Sequence, residues 1–195
     1  MVQYILTKSE RYSVAELAQM AIEGGCQWIT VALPELSDEE LKTELMPEVI
    51  EMCKVSGVIL TFEDRPELAA ELGVHGVRLS IRFQTEHRIS APELREKIGP
   101  EAIIGLEVVD PMVIPTLVKA DIDFAFLPQH FTENERTTFI AAIKEDFPIV
   151  AQGNITANNA KEILSQGFKG LAVGEAITAA PDPITATAAI INSII

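Results

Sequence analysis

Two glycine-bearing turns near the end of the chain carry the clearest chemical signal. Pro148-Ile149-Val150-Ala151-Gln152-Gly153-Asn154-Ile155 and Gly170-Leu171-Ala172-Val173-Gly174-Glu175-Ala176-Ile177 each read as an apolar strand that ends in glycine and runs into a helix. Such turns aim consecutive backbone N–H groups at an anion, which makes Gly153, Asn154, Gly174 and Glu175 candidate phosphate contacts. A second group of chemically capable residues comes from earlier strand ends: the acids Glu63, Asp64 and Glu107, and the cations Lys8, Arg65, Arg78 and Arg82. Oxygen ligands of this kind could hold Mg²⁺, with Asp64 and Glu63 as the leading candidates, or Glu107 could act as a general base if crowding raised its pKa. The structural alternative for each acid is an ion pair with Arg65, Arg78 or Arg82. His130 is of the residue type suited to proton transfer, whereas a lone loop histidine is otherwise a solvated surface group. His75 precedes a strand, and His87 falls in a polar stretch read as a loop, so neither receives a role.

The elements that must position these residues alternate. Strand-like runs occur at Gln3–Leu6, Gln27–Leu33, Val58–Phe62, Gly76–Leu79, Ala102–Val108, Asp123–Leu127, Pro148–Ala151 and Gly170–Val173. Helical periodicity falls between and after them: from Val14 behind Ser13, Leu41–Val55 behind Ser37, Pro66–Leu72, Pro92–Ile98 behind Ser90, Pro111–Val118 behind Asp110, Asn134–Ile143, Thr156–Leu164 and Pro183–Ile195. Parallel neighbours need a crossover, which the intervening helix supplies, so eight such units predict an α/β protein closed as a single (β/α)8 TIM barrel over residues 1–195. The chain is shorter than a typical barrel of about 250 residues, which predicts minimal loops and keeps a flavodoxin-like open sheet as the structural alternative. In such barrels the loops after strands seven and eight commonly hold phosphate, so the expected partner is a small phosphorylated molecule.

Composition narrows the classes further. A net charge of −14, from 15 basic against 29 acidic residues, argues against nucleic acid, whose recognition needs a basic surface. No apolar run approaches the roughly 20 residues that span a bilayer, and no secretory segment is visible after Val2–Leu6, so no membrane partner and a cytoplasmic location are expected. Cys26 and Cys53 lack metal-ligand spacing and read as reduced core residues. Homo-oligomerisation is left open.

The order of segments resembles the thiamine phosphate synthase and thiazole tautomerase superfamily over nearly the whole chain. The resemblance is carried by Gly57-Val58-Ile59-Leu60-Thr61-Phe62-Glu63-Asp64-Arg65-Pro66, Gly73-Val74-His75-Gly76-Val77-Arg78-Leu79-Ser80, Ala102-Ile103-Ile104-Gly105, Ala151-Gln152-Gly153-Asn154-Ile155-Thr156 and Val173-Gly174-Glu175-Ala176-Ile177. It implies a barrel that joins a pyrimidine pyrophosphate to a thiazole phosphate carboxylate with Mg²⁺ or, in the tautomerase branch, isomerises the thiazole. Several implied groups are replaced. Where the synthases show Gln-x-Arg-x-Lys after strand two, this chain has Thr30, Ala32 and Pro34. Their Asn-Asp after strand three is Glu63-Asp64, and their His-Leu-Gly-Gln-x-Asp after strand four is Arg78-Leu79-Ser80-Ile81-Arg82-Phe83. Their lysine-bearing loop after strand six is Pro128-Gln129-His130-Phe131-Thr132-Glu133-Asn134-Glu135. In the tautomerase branch the acid/base histidine aligns with Gln129, one place before His130.

The sequence therefore predicts a divergent thiamine phosphate synthase-like protein of thiamine biosynthesis. It would bind a phosphorylated thiazole-type ligand through Gly153, Asn154, Gly174 and Glu175, with Arg78, Arg82 and Gln129 as further substrate contacts. Two alternatives stand beside it: a proton-transfer isomerase using His130 and Glu107, and a barrel that binds such a ligand without chemistry.

Overall fold

The computed structural model describes residues 1–195. Eight strands, β1 (Val2–Leu6), β2 (Trp28–Val31), β3 (Ile59–Glu63), β4 (Gly76–Leu79), β5 (Ile103–Glu107), β6 (Phe124–Phe126), β7 (Ile149–Gln152) and β8 (Gly170–Val173), pair in parallel in chain order, and β8 returns to β1 to close the barrel. The period of two along each strand divides the apolar residues into two separate clusters. Tyr4 and Leu6, Ile29 and Val31, Leu60 and Phe62, and Leu171 and Val173 face outward and pack with the helices. Ile5, Trp28, Phe124, Phe126, Val150 and Ala172 fill the barrel interior.

Closure leaves little room inside. Trp28 and Phe124 meet edge to face with ring centroids 5.6 Å apart. Gly105 makes this packing feasible, since a Cβ there would lie 2.2 Å from the Phe124 ring. Above these rings the interior turns polar: Trp28 Nε1 donates to Thr61 Oγ1 at 3.0 Å, and the Thr30 and Thr61 hydroxyls are 2.8 Å apart.

Helix starts follow side-chain chemistry. Ser13, Ser37, Ser90 and Thr132 each accept from the backbone N–H three residues on, while Glu16, Glu40, Glu93 and Glu135 reach back to the cap N–H. The structure departs from the expected helices in four places. The segment behind Ser37 is interrupted by a π turn, Leu41–Leu45, in which the Met46 N–H bonds to the Leu41 carbonyl. Pro47 has no N–H for an α-helical bond at that point, and the helix resumes as Met46–Ser56. The segment behind Asp110 opens as a 3₁₀ turn, Pro111–Val113, before the helix Ile114–Lys119. The helix expected from Thr156 starts only at Ala160, because Asn159 Oδ1 takes the Thr156 N–H at 2.8 Å and folds the intervening residues into a turn. The stretch after β4, read as a loop containing His87, is the helix Ile81–His87, capped by Ser80 and ended by His87 stacked on Phe83.

Both cysteines are free and buried, and burial pushes the Cys53 thiol up to about 11. No helix is long and apolar enough to cross a membrane.

The four capping glutamates titrate below their ordinary value of 4.5 because of their cap hydrogen bonds. A carboxylate whose folded pKa is depressed stabilises the fold above its unfolded pKa and ceases to do so as pH falls through the folded one. Melting followed by circular dichroism should show the melting temperature falling once pH drops below about 4.5. A variant with Ser13, Ser37, Ser90 and Thr132 all changed to alanine should start lower and lose less on acidification.

Candidate active-site cavity

The loops after β7 and β8, with the end of β1, enclose a cavity of about 700 Å³ at the C-terminal face of the barrel. Its wall includes Thr7, Lys8, Gln129, Gln152, Gly153, Asn154, Gly174, Glu175 and Thr178. Gly153 is required at its position: φ is +86°, and a Cβ would stand 1.9 Å from the Gln129 carbonyl oxygen. Asn154 follows with φ of 49°, so two successive left-handed residues turn the chain.

A buried arginine fixes the direction of these peptides. Arg136, from the helix Glu133–Ala142, donates to the carbonyls of Phe131 at 3.2 Å, Gln152 at 3.4 Å and Gly153 at 2.9 Å. In a trans peptide the N–H points opposite to the C=O, so the Gly153 and Asn154 N–H groups are turned away from Arg136, and neither meets a protein acceptor. The Asn154 carbonyl is held in turn by Asn159 Nδ2 at 2.8 Å. At the second turn, Gly174 precedes a short helix, Glu175–Thr178, and the Gly174 N–H group has no internal acceptor either. The Glu175 side chain is exposed and caps nothing. Lys8 is an exposed cation on the same wall.

The acids at strand ends gather around a resident cation. Arg78, on β4, is wholly buried in the barrel interior. Its Nη1 donates to Gln3 Oε1 at 3.1 Å, its Nη2 donates to Gln152 Oε1 and lies 3.6 Å from Glu63 Oε2, and its guanidinium sits 3.8 Å above the Phe126 ring. Burial pushes the Arg78 pKa down, and Glu63, Glu107 and Asp64 oppose that shift. Burial also raises the Glu63 carboxyl above its ordinary range, against the pull of Arg78. Asp64 is engaged locally, with Oδ1 accepting from the Ser80 N–H at 2.7 Å and Oδ2 from the Ser80 hydroxyl at 2.6 Å. Glu107 Oε2 accepts from the Ile81 N–H at 2.9 Å, at the start of the helix after β4.

These acids do not fit the Mg²⁺ site implied by the resemblance. No three His, Cys, Asp or Glu side chains converge as metal ligands. Mg²⁺ can be held by one or two carboxylates plus substrate phosphates, but here the charge of Glu63 is matched to Arg78 and both Asp64 oxygens are bonded to Ser80. Of the alternatives weighed for the acids, Glu63 takes the ion pair with Arg78.

The remaining candidates are spread out. Arg82 is exposed beside Glu63 and Asp64 in a separate recess of about 620 Å³. Arg65 ties down the chain after β2 through Asp38 and the Leu33 and Leu36 carbonyls. His130 is exposed, edge-on to Phe131 at 5.7 Å, and does not line the main cavity. Arg136 had no sequence signal, because a lone arginine in a helix reads as surface. The side chains of Gln3 and Gln152 had only their place in otherwise apolar strands to mark them.

The fold and this cavity define a (β/α)8 barrel with an open site at the C-terminal ends of its strands. A family described as thiamine monophosphate synthase matches residues 3–177, and the chain belongs to that family. It is 32% identical to a thiamine-phosphate synthase of Bacteroides fragilis, across 97% of this chain and 98% of the relative. It is 30% identical to the corresponding protein of Bacteroides thetaiotaomicron, across 97% and 95%. Among solved structures, a thiamine phosphate pyrophosphorylase from Pyrococcus furiosus superposes with a TM-score of 0.82 at 23% identity, covering 98% of this chain and 94% of that one. An orotidine 5'-phosphate decarboxylase from Pyrococcus horikoshii superposes at 0.69 and 16% identity, covering 100% and 99%, a likeness of fold alone.

Removing Arg78 should expose what it neutralises. Arg78→Met leaves Glu63, Asp64 and Glu107 without their shared cation, and breaking a buried pair costs about 3–5 kcal/mol. Urea unfolding at pH 7 should show a loss of that order, and the loss should shrink at pH 4, where Glu63, its carboxyl raised by burial, takes up a proton. An equal loss at both pH values would mean that packing, rather than charge, explains the burial of Arg78.

Proposed function

We propose that this protein acts in thiamine biosynthesis as a divergent thiamine phosphate synthase-like barrel, binding a phosphorylated thiazole-type molecule in the cavity after β7 and β8. The observation that carries this reading is the set of three N–H groups, at Gly153, Asn154 and Gly174, which have no acceptor in the protein and belong to residues lining one cavity, with Glu175 beside them at the start of a helix. Backbone donors fixed from behind suit phosphate oxygens, because no reorganisation is needed when the anion arrives. Lys8 adds positive charge beside them, and Gln129 closes the wall. Names of relatives support the thiamine assignment, and the residue changes make this member divergent.

The roles proposed for the rest follow from their surroundings. Glu63 and Asp64 balance Arg78 and hold Ser80, so binding in this cavity does not depend on a divalent cation. A second reading, ligand binding without turnover, is favoured by that same arrangement. Departure of pyrophosphate needs free positive charge aimed at it, and the cation in the barrel interior is already enclosed by carboxylates. Isomerisation through His130 would require that side chain to reach a ligand from outside the cavity wall.

A thermal-shift titration with thiazole phosphate carboxylate tests the main reading. Binding to the folded state alone raises the melting temperature. Gly174→Asp is the suitable control, because a Cβ there meets nothing nearer than 3.6 Å, whereas any side chain at Gly153 would collide with Gln129. The parent should shift, with and without EDTA, and the aspartate variant should bind about 100-fold more weakly through like-charge repulsion. No shift at millimolar ligand would refute the thiazole assignment. Turnover of the bound ligand with the pyrimidine pyrophosphate and Mg²⁺ would refute the reading without chemistry.

A further inference from the structure

Gln152 stands at the junction between the buried cation and the cavity. It is the last residue of β7, half-buried, with its side-chain oxygen accepting from Arg78 Nη2 and the residue itself forming part of the cavity wall. Which way an amide faces is ordinarily ambiguous, because its oxygen and nitrogen look alike. Here chemistry decides it: a guanidinium carries only donors, so the amide must give Arg78 its oxygen. Arg78 is itself immobilised by Gln3 Oε1 at 3.1 Å, Glu63 at 3.6 Å and the Phe126 ring at 3.8 Å, so it cannot yield to a flipped amide. The Gln152 Nε2 group is left with two donor hydrogens and no protein acceptor.

Gln3 reports the same constraint independently. It is fully buried, its oxygen is also taken by Arg78, and its Nε2 is a buried donor with no partner. One guanidinium has therefore turned two amides, and each presents donors on the side away from it.

Resting on the phosphate reading of the cavity, we propose that Gln152 is a ligand-binding and specificity-determining residue: its Nε2 group donates to an anionic oxygen of the ligand, in an orientation fixed by Arg78. Hydrogen bonds in series polarise one another, so the buried guanidinium strengthens this donor without touching the ligand. With the backbone N–H groups of Gly153 and Asn154 beside it, this part of the wall offers donors and selects groups that only accept, such as a fully ionised phosphate or a carboxylate.

Gln152→Glu separates this role from a structural one. A carboxylate has the shape of the amide and pairs better with Arg78, so the melting temperature should hold or rise. Its second oxygen, however, would stand where the donor was. Thermal-shift and calorimetric titration of the full chain with inorganic phosphate should show binding by the parent and about 10- to 100-fold weaker binding by Q152E. In nitrogen-15 spectra of the parent, the Gln152 side-chain NH₂ pair, assigned by its absence in Gln152→Met, should move as phosphate is added. Equal phosphate affinity in Q152E, or an NH₂ pair unmoved by phosphate bound to the parent, overturns the role of Gln152 while leaving the cavity assignment intact. A parent that binds neither phosphate nor thiazole phosphate carboxylate overturns both.

Discussion

Arg78 cannot discard its charge, so burying it in the barrel interior obliges its surroundings to supply acceptors and counter-charge. Much of the polar architecture at this end of the molecule answers that demand. Glu63 supplies the negative charge, Gln3 and Gln152 supply oxygens, and Phe126 supplies the negative face of a ring. Glu107 and Asp64 contribute at longer range while also anchoring the segment that follows β4. The acids at these strand ends are thus partners of a protein cation, and the electrostatics of the site follow from that choice.

A second arginine performs a complementary task for the backbone. Arg136 lies behind the β7 loop and collects its carbonyls, so the opposite edges of those peptides are donors. The turn itself depends on Gly153, where the approach of Gln129 excludes any side chain, and on Asn154, which tolerates the left-handed region. Together these residues produce an anion-compatible surface in a protein whose net charge is −14. Under the proposed function, locally fixed N–H groups would offset what the overall charge opposes, because fields from exposed carboxylates are screened within about 10 Å.

Membership of the thiamine monophosphate synthase family fixes the scaffold but not the equipment of the mouth. The backbone turns after β7 and β8 survive side-chain change because their chemistry lies in N–H groups. Side-chain groups have no such protection, and the positions after β2, β3, β4 and β6 are where the resemblance implies groups that this chain replaces. The two halves of the mouth differ in kind: the turns after β7 and β8 present backbone N–H groups, and the ends of β3 and β4 are organised around Arg78.

Strand and helix order were legible in the sequence because period two and period 3.6 are local properties, and closed parallel pairing follows from strict alternation. Gly153 and Asn154 were legible for a similar reason, since a glycine at a strand end followed by asparagine announces a turn by conformation alone. The π turn before Pro47, the helix Ile81–His87 and the late start at Ala160 were not, because single side-chain hydrogen bonds and a missing N–H decide them. Which acids would be ligands, bases or counter-ions could not be read either. Glu63, Asp64 and Glu107 look alike in sequence, and only the barrel, by bringing Arg78 from β4 against Glu63 of β3, Gln3 of β1 and Gln152 of β7, assigns them their work. Sequence settles what depends on neighbours along the chain; charge compensation depends on neighbours across the barrel, and those exist only once it closes.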